Sequence, residues 1–327
     1  MKYGLGKGWM GILFAVLMII TFGFAYNSVQ SNTICLAWQK AFGIEPATMG
    51  IVLTALTLLI IFGGIQRVAK FSSTVVPVMA VVYLLIAVGV VVWNIASLPK
   101  VLLAIVENAF GFNQAAGGVL GVTVIQGIKR GLFSNEAGEG SAPNAAAVAT
   151  VSHPVKQGLI QALGVFTDTL VVCSCTAFII LVSGVDVTAS NGIQLTQDAL
   201  THEIGSIGNP FVAVMIWLFA FSSIIGNYYY GETNVRYIRD SKLGVFIYRL
   251  AVAAMVMVGA VVSLDFAWSF ADITMALLTL CNLVAIVLLS RQAVFLLQDY
   301  RQQKKEGKNP VFSTDKMPEI ADKLEAW

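Results

Sequence analysis

Long apolar stretches restrict the fold of this chain more than any other feature. The stretch that follows Lys7 contains no charged residue for 32 positions, and a transmembrane helix needs only about 20 apolar residues. Seven predominantly apolar segments occur, at residues 9–26, 48–65, 75–95, 159–181, 211–230, 244–262 and 268–290. Charged residues make up 12% of the chain, against about 25% in a typical soluble domain. The sequence therefore predicts an all-α polytopic membrane protein and excludes an ordinary soluble enzyme.

An eighth segment, residues 117–151, is long enough to cross a membrane but is interrupted in its middle by glycines. Four charged residues lie near its centre: Lys129, Arg130, Glu136 and Glu139. Helix-poor residues and buried charges both disfavour a continuous helix that faces lipid. Non-helical backbone is tolerated at membrane depth where it lines a cavity or is covered by protein. We therefore predict a broken helix, with one half at residues 117–130, an unwound stretch at 131–140 and a second half from residue 141.

The predicted break offers ligands for an amino acid and for a cation. We expect Ser141 to cap the second half, Pro143 to lie in its first turn and residues 145–149 to continue it. Free N–H groups and the positive dipole at that helix start suit a carboxylate. Unwound carbonyls, with the side-chain oxygens of Ser134 and Asn135, suit a small hard cation.

Two alternatives stay open for the charges of this region. In the alternative to a broken helix, residues 117–151 form a glycine-rich helix that packs closely through small residues, and Glu136 pairs with Arg130. Asp168, near the centre of segment 159–181, is a functional candidate because a mid-membrane carboxylate is costly. It either braces the unwound stretch or pairs with Lys129 or Arg130, and we favour bracing over direct binding.

The distribution of Lys and Arg predicts the orientation in the membrane. With a cytoplasmic N-terminus, fifteen basic residues lie inside and only Lys40 and Lys100 lie outside, as the positive-inside rule requires. We therefore predict eight crossings with both termini in the cytoplasm. Residues 1–290 form the transmembrane bundle. Residues 291–327 carry 13 of the 38 charged residues and form a cytoplasmic tail, which begins as a helical extension and ends as a flexible segment.

Several functional classes find no support. The net charge is +2, and no Lys/Arg cluster outside the tail suggests nucleic-acid binding. Two His and four Cys are too few and too scattered for a transition-metal site by spacing. The charged and hydroxyl residues show no pairing that suits an intramembrane enzyme. We therefore predict no catalytic residues and no cofactor.

The sequence RGLFSNEAGEGSAP at residues 130–143 closely resembles the signature of the alanine/glycine:cation symporter family. Further resemblance lies in QSN at 30–32, GGI at 63–65, VP at 76–77, HP at 153–154, FTDT at 166–169, FAFSS at 219–223, YYYGE at 228–232 and NL at 282–283. The resemblance covers nearly the whole chain except the tail. It implies a LeuT-like fold of the APC superfamily in the bacterial inner membrane. It also implies sodium-coupled symport of small neutral amino acids, alanine or glycine, by alternating access.

The resemblance also implies site residues. The substrate is expected at Gly131, Phe133, Ser134, Asn135, Glu136, Ala137, Gly138 and Asn227, with Asp168 in support. Asn227 stands where this family usually has Trp, so substrate size is open. Sodium, the coupling ion, is expected at Ser222 and Ser223, because LeuT-like folds use a hydroxyl pair at this place. Serines in membrane helices also bond back to the carbonyl four residues earlier, and the sequence supports both interpretations equally.

The resemblance finally implies an N-terminally incomplete unit. The segments match core helices three to ten, whereas family members begin with another broken helix that supplies the opposing half of both sites. We therefore expect either part of a full symporter, monomeric in the lipid bilayer, or a non-transporting membrane remnant. A channel-like or structural membrane subunit is the alternative from a different class.

Overall fold

The computed structural model describes residues 1–63, 65–109 and 117–318. These residues form α-helices connected by short loops. In chain order the helices are α1 Lys2–Leu5, α2 Gly8–Met18, α3 Asn27–Phe42, α4 Pro46–Ile61, α5 Ile65–Trp93, α6 Leu98–Ala109, α7 Gly117–Asn135, α8 Ala142–Ala146, α9 Pro154–Thr167, α10 Cys173–Ser183, α11 Ile193–Ile204, α12 Gly208–Ile238, α13 Lys242–Val261 and α14 Leu264–Lys305.

Two pairs of helices are joined by π-helical segments rather than by loops. Ile19–Tyr26 joins α2 to α3, and Asp168–Val172 joins α9 to α10. A π-helical turn carries an extra residue and often marks a functional site. These two segments place Tyr26 and Asp168, which both contact the broken helix described below.

Five helical units of the described residues are long and apolar enough to cross a membrane: Gly8–Phe42, Pro154–Ser183, Ile193–Ile238, Lys242–Val261 and Leu264–Lys305. A sixth is present if Pro77–Trp93 and Leu98–Ala109, bent by 103° at their junction, are one span. The prediction of an all-helical polytopic membrane protein is therefore confirmed. The count of eight crossings and the LeuT-like topology stay predictions, because α4, with 16 residues, and the broken helix are not among these spans.

The bundle is held together by three apolar clusters. One joins α3, α4, α12 and α13, another joins the Ile19–Tyr26 segment to α14, and the last joins α5, α10, α11 and α12. Close helix approach depends on small residues, as at Gly259, where an added Cβ would lie 2.5 Å from backbone atoms of Ser28. Small residues at crossings are typical of membrane bundles, since lipid gives helices no hydrophobic drive to associate.

The broken helix is present, but its boundaries differ from the prediction. α7 continues to Asn135, five residues beyond the predicted end, and the break spans residues 136–141. Pro143 lies in the first turn of α8, as predicted. Ser141 does not cap α8, because its hydroxyl donates to Glu136 instead. The predicted continuation over residues 145–149 is wrong, since α8 ends at Ala146 after five residues.

The C-terminal helix extends into the tail, as predicted, and ends at Lys305. The described residues beyond it fold back on the loop between α8 and α9. The Phe312 amide donates to the carbonyl oxygen of Ser152 at 2.9 Å, and the Ser152 hydroxyl donates to the carbonyl oxygen of Pro310 at 2.9 Å. Phe312 is buried beside the ring of His153, which is itself fully buried and bonds Asp299 of α14. This part of the tail is therefore packed rather than free.

Candidate functional site

The break between α7 and α8 has an unusual backbone. Glu136 has a positive φ of 55°, and Gly138 and Gly140 have φ values of 99° and 84°. L-residues rarely adopt this region, and Glu136 is the one non-glycine residue among those described that does so. Strain of this kind persists where the surroundings fix the backbone, and it clusters at functional sites. The glycine-rich sequence is therefore used to turn the chain sharply at the end of α7.

Side chains of the Asp168 π-helical segment hold the end of α7. The Ser134 hydroxyl donates to Asp168 Oδ2 at 2.6 Å, and Asn135 Nδ2 donates to Thr169 Oγ1 at 2.8 Å. Asn135 Oδ1 accepts from the Ala137 amide at 2.9 Å, which supports the first turn of the break. Asp168 therefore contacts the broken helix, as bracing requires, and its effect on binding stays a prediction.

α14 holds the other side of the break. Asn282 Nδ2 donates to the Gly138 carbonyl oxygen at 2.8 Å. An added Cβ at Gly140 would lie 2.7 Å from the Asn282 amide group and 2.9 Å from the Phe14 ring. The loop is thus enclosed on this side. Position 140 requires a glycine, because its φ is positive and because a side chain would have no space.

The basic residues near the end of α7 have a partner that the sequence did not reveal. Asp272 of α14 accepts from Arg130 at 2.5 Å and lies 3.2 Å from Lys129 Nζ. Arg130 also stacks 4.1 Å from the centre of the Trp268 ring. The proposed alternatives, in which Arg130 pairs with Glu136 or Asp168, are therefore not the arrangement found.

A cavity of about 240 Å³ lies beside the break. It is lined by Tyr26, Gln30, Phe133, Ser134, Glu136, Ser223 and Asn227. Five of these residues belong to the predicted site, and they come from α7, from the break and from α12. At about 30 Å³ for each water in the liquid, the cavity matches about eight waters, which is room for an amino acid of six heavy atoms. The structure therefore brings the centre of the predicted site together around one small cavity.

Two polar groups at this cavity have bonding capacity left. Asn227 is buried, and its Nδ2 has no hydrogen-bond partner among the described residues. Ser223 Oγ donates to the Phe219 carbonyl oxygen at 3.2 Å, and a hydroxyl that donates keeps lone pairs that can accept or coordinate. Ser222 donates to the same carbonyl at 2.7 Å and does not line the cavity. Both hydroxyls thus bond back to a carbonyl of their own helix, Ser223 to the fourth residue before it and Ser222 to the third, and the sodium role of the pair stays a prediction.

A larger cavity of about 730 Å³ lies on the α14 side of the break. Of the predicted residues, it is lined by Asn135, Glu136, Ala137 and Gly138. Glu136 lines both cavities and therefore lies where they approach one another. Gly131 lies in α7, and no described residue outside its own helix lies within 4 Å of where its Cβ would be.

Tyr26, Gln30 and Glu139 are the residues that the sequence did not assign to the site. Tyr26 and Gln30 line the small cavity, and the Tyr26 hydroxyl donates to Glu139 Oε1 at 2.6 Å. Glu139 is one of the four charges near the centre of the interrupted segment, but its tyrosine partner lies 113 positions away in sequence. The burial of Glu139 depends on the π-helical segment that carries Tyr26. The pattern of apolar residues does not reveal where that segment lies.

Comparison with known proteins gives a consistent result. The family model described as the sodium:alanine symporter family matches residues 1–314. The chain is 54% identical over 316 residues to a Bacillus subtilis protein named probable sodium/glutamine symporter GlnT, covering 96% of this chain and 66% of that relative. It is 50% identical over 324 residues to the amino-acid carrier protein AlsT of Bacillus subtilis, covering 99% and 69%. It is 35% identical over 316 residues to the sodium/alanine symporter AgcS of Methanococcus maripaludis, covering 94% and 68%. The chain thus spans about two thirds of the length of these relatives.

Proposed function

Because the chain belongs to the sodium:alanine symporter family, we propose that it takes part in sodium-coupled symport of small neutral amino acids by alternating access. The family and the named relatives are transporters rather than enzymes. Alanine and glycine are the proposed substrates, and sodium is the proposed coupling ion. We also propose a LeuT-like arrangement of the bundle, a monomer in the bacterial inner membrane and cytoplasmic termini.

The small cavity carries this proposal. It joins a broken helix, the buried Asn227 amide and the Ser223 hydroxyl in a volume of about 240 Å³. An amino acid presents a carboxylate, an ammonium group and a small side chain, so it needs both donors and acceptors at close range. The cavity offers an amide donor at Asn227, acceptors at Glu136 and Gln30, and an apolar wall at Phe133.

Each part of the cavity has a proposed role. The broken segment from Gly131 to Gly138 binds the amino acid through its side chains and its freed backbone groups. Ser223 contributes a hydroxyl oxygen to sodium, with Ser222 beside it on α12. Asp168 holds Ser134 in place and acts on the solute through that contact.

Uptake of radiolabelled alanine into vesicles tests the proposal. Vesicles that contain the full chain, as the cell produces it, are expected to accumulate alanine when the sodium concentration is higher outside than inside. Accumulation is expected to stop when choline replaces sodium. Excess glycine and excess glutamine, added separately, show which solute competes. Passive flux without accumulation would favour the channel-like alternative, and no flux would favour the structural one.

The Ser223→Ala variant tests the sodium role, and it has a matched control. Ser290 in α14 likewise donates to a carbonyl oxygen of its own helix, three residues earlier at 2.7 Å, and does not line the cavity. We expect Ser223→Ala to raise the sodium concentration that gives half-maximal uptake, while Ser290→Ala leaves it unchanged. Equal sodium dependence in the two variants would show that Ser223 is not a ligand.

A further inference from the structure

Glu139 is the most enclosed carboxyl group in the break. The side chain has no exposed surface. The Tyr26 hydroxyl donates to its Oε1 atom at 2.6 Å, while its Oε2 atom has no hydrogen-bond partner among the described residues. A buried polar atom without a partner is uncommon, because leaving one unpaired costs free energy.

The charged groups around Glu139 do not balance a negative charge on it. Lys129 and Arg130 are engaged by Asp272 of α14. The ion pairs found among the described residues do not include Glu139. Glu136, on the same loop, is close enough to interact electrostatically with Glu139. Among the described residues, the phenol of Tyr26 also interacts electrostatically with Glu139. Asp168, on the other π-helical segment, and Tyr230, on α12, interact with Glu136.

An ionised carboxylate in this position would be a second negative charge in an enclosed site, and no basic side chain of the described residues pairs with it. Burial of an isolated charge is so costly that such groups usually become neutral instead. A protonated carboxyl group has an O–H donor on one oxygen and still accepts through the other. It would therefore keep the Tyr26 bond on Oε1 and carry its hydrogen on Oε2.

From this geometry we propose that Glu139 is a proton-binding site, occupied at neutral pH. The proton comes from a hydronium ion, which is left as water, and an O–H bond forms at Oε2 with no other covalent change in the protein. Release of the proton places a second negative charge beside Glu136. The assignment does not depend on which solute the protein carries.

Glu139 lies between the two cavities, so its protonation changes the charge of the wall that separates them. Its chain neighbours Gly138 and Gly140 line the large cavity, and its hydrogen-bond partner Tyr26 lines the small one. The Tyr26–Glu139 bond thus lies in the wall between the two cavities. Proton binding keeps a second negative charge out of that wall, and proton release adds one.

Infrared spectroscopy of the purified full chain in lipid tests the proposal directly. A protonated carboxyl group gives a C=O stretching band that is separate from carboxylate bands and shifts in D₂O. We expect this band at neutral pH, its loss in Glu139→Gln and its retention in the matched variant Glu136→Gln. Tyr26→Phe removes the hydrogen bond to Oε1 and is expected to move the band to higher frequency.

Three results would overturn the assignment. The first is a folded wild-type protein without the band. The second is a band that is lost in Glu136→Gln and kept in Glu139→Gln. The third is a band that disappears when sodium replaces choline, since sodium would then balance the charge on Glu139. If Glu139→Gln does not fold, the frequency shift in Tyr26→Phe decides, and an unshifted band refutes the proposal.

Discussion

Alanine substitutions at three glycines separate backbone strain from lack of space at the broken helix. Gly127 lies in α7 with open space around it, so Gly127→Ala is expected to stabilise the helix by up to about 1 kcal/mol. Gly138 has a φ of 99°, but an added Cβ would meet atoms only at ordinary contact distances of 3.8 Å or more. Gly138→Ala is therefore expected to cost about 1–2 kcal/mol from backbone strain alone.

Gly140→Ala adds a steric clash to the strain. Its Cβ would lie 2.7 Å from Asn282 and 2.9 Å from the Phe14 ring. Asn282 cannot move freely, because it donates to the Gly138 carbonyl oxygen. Overpacking in a filled site costs about 1–3 kcal/mol, so the total is about 2–5 kcal/mol when the strain of about 1–2 kcal/mol is added.

The three variants are compared by reversible unfolding in mixed micelles of a mild detergent and sodium dodecyl sulfate. The free energy of unfolding is expected to be highest for Gly127→Ala, lower for Gly138→Ala and lowest for Gly140→Ala. A Gly140→Ala protein as stable as Gly127→Ala would refute the description of the break. Equal losses at Gly138 and Gly140 would instead show that strain dominates and that the contact with Asn282 yields.

Three more outcomes follow from the packing. Gly259→Ala is expected to lower the free energy of unfolding by about 1–3 kcal/mol, because its Cβ would lie 2.5 Å from backbone atoms of Ser28. Gly89→Ala is the control, since nothing among the described residues lies close to its Cβ. Equal unfolding free energies of the two variants would contradict this. Asp272→Asn leaves two basic side chains of α7 without their acid and is expected to cost about 1.5–3 kcal/mol, and an unchanged unfolding free energy would rule that out. Phe312→Ala is expected to release the tail, so that trypsin cleaves the tail lysines several times faster than in the wild type; an unchanged rate would mean that Phe312 does not hold the tail.

The sequence was sufficient to locate the broken helix but not its ends. Glycines and charges at mid-span predict an interruption on physical grounds alone. The helix continues to Asn135 because Ser134 and Asn135 are held by Asp168 and Thr169. Those partners lie 34 positions away, so no local pattern could indicate them.

The second half of the broken helix shows tertiary contacts overriding helix propensity. Alanines at 145–147 and 149 favour a helix, yet α8 ends at Ala146. The chain must then reach Pro154, where α9 begins, and Ser152 on the way is bonded to Pro310 and to Phe312. The tail contact is distant in sequence, which explains why propensity misplaced this boundary.

The charge pairs show the same limit. The sequence places Arg130 and Glu136 in one cluster, and one of the alternatives it leaves open pairs them with each other. Arg130 instead pairs with Asp272, 142 positions away, and Glu136 accepts from Ser141. The sequence shows which charged residues lie in apolar segments, where burial is costly. The packing of the helices determines which residue pairs with each of them.

The folded-back tail has a mechanical consequence for the bundle. It ties Ser152, just before α9, to the tail beyond α14 through Pro310 and Phe312, and the adjacent His153 bonds Asp299 of α14. The start of α9 therefore cannot tilt away from α14 unless the tail moves with it or detaches. Asp168 directly follows α9, so the same linkage fixes how far the Ser134 anchor can travel. The last residues of the described chain thereby limit the range of motion at its centre.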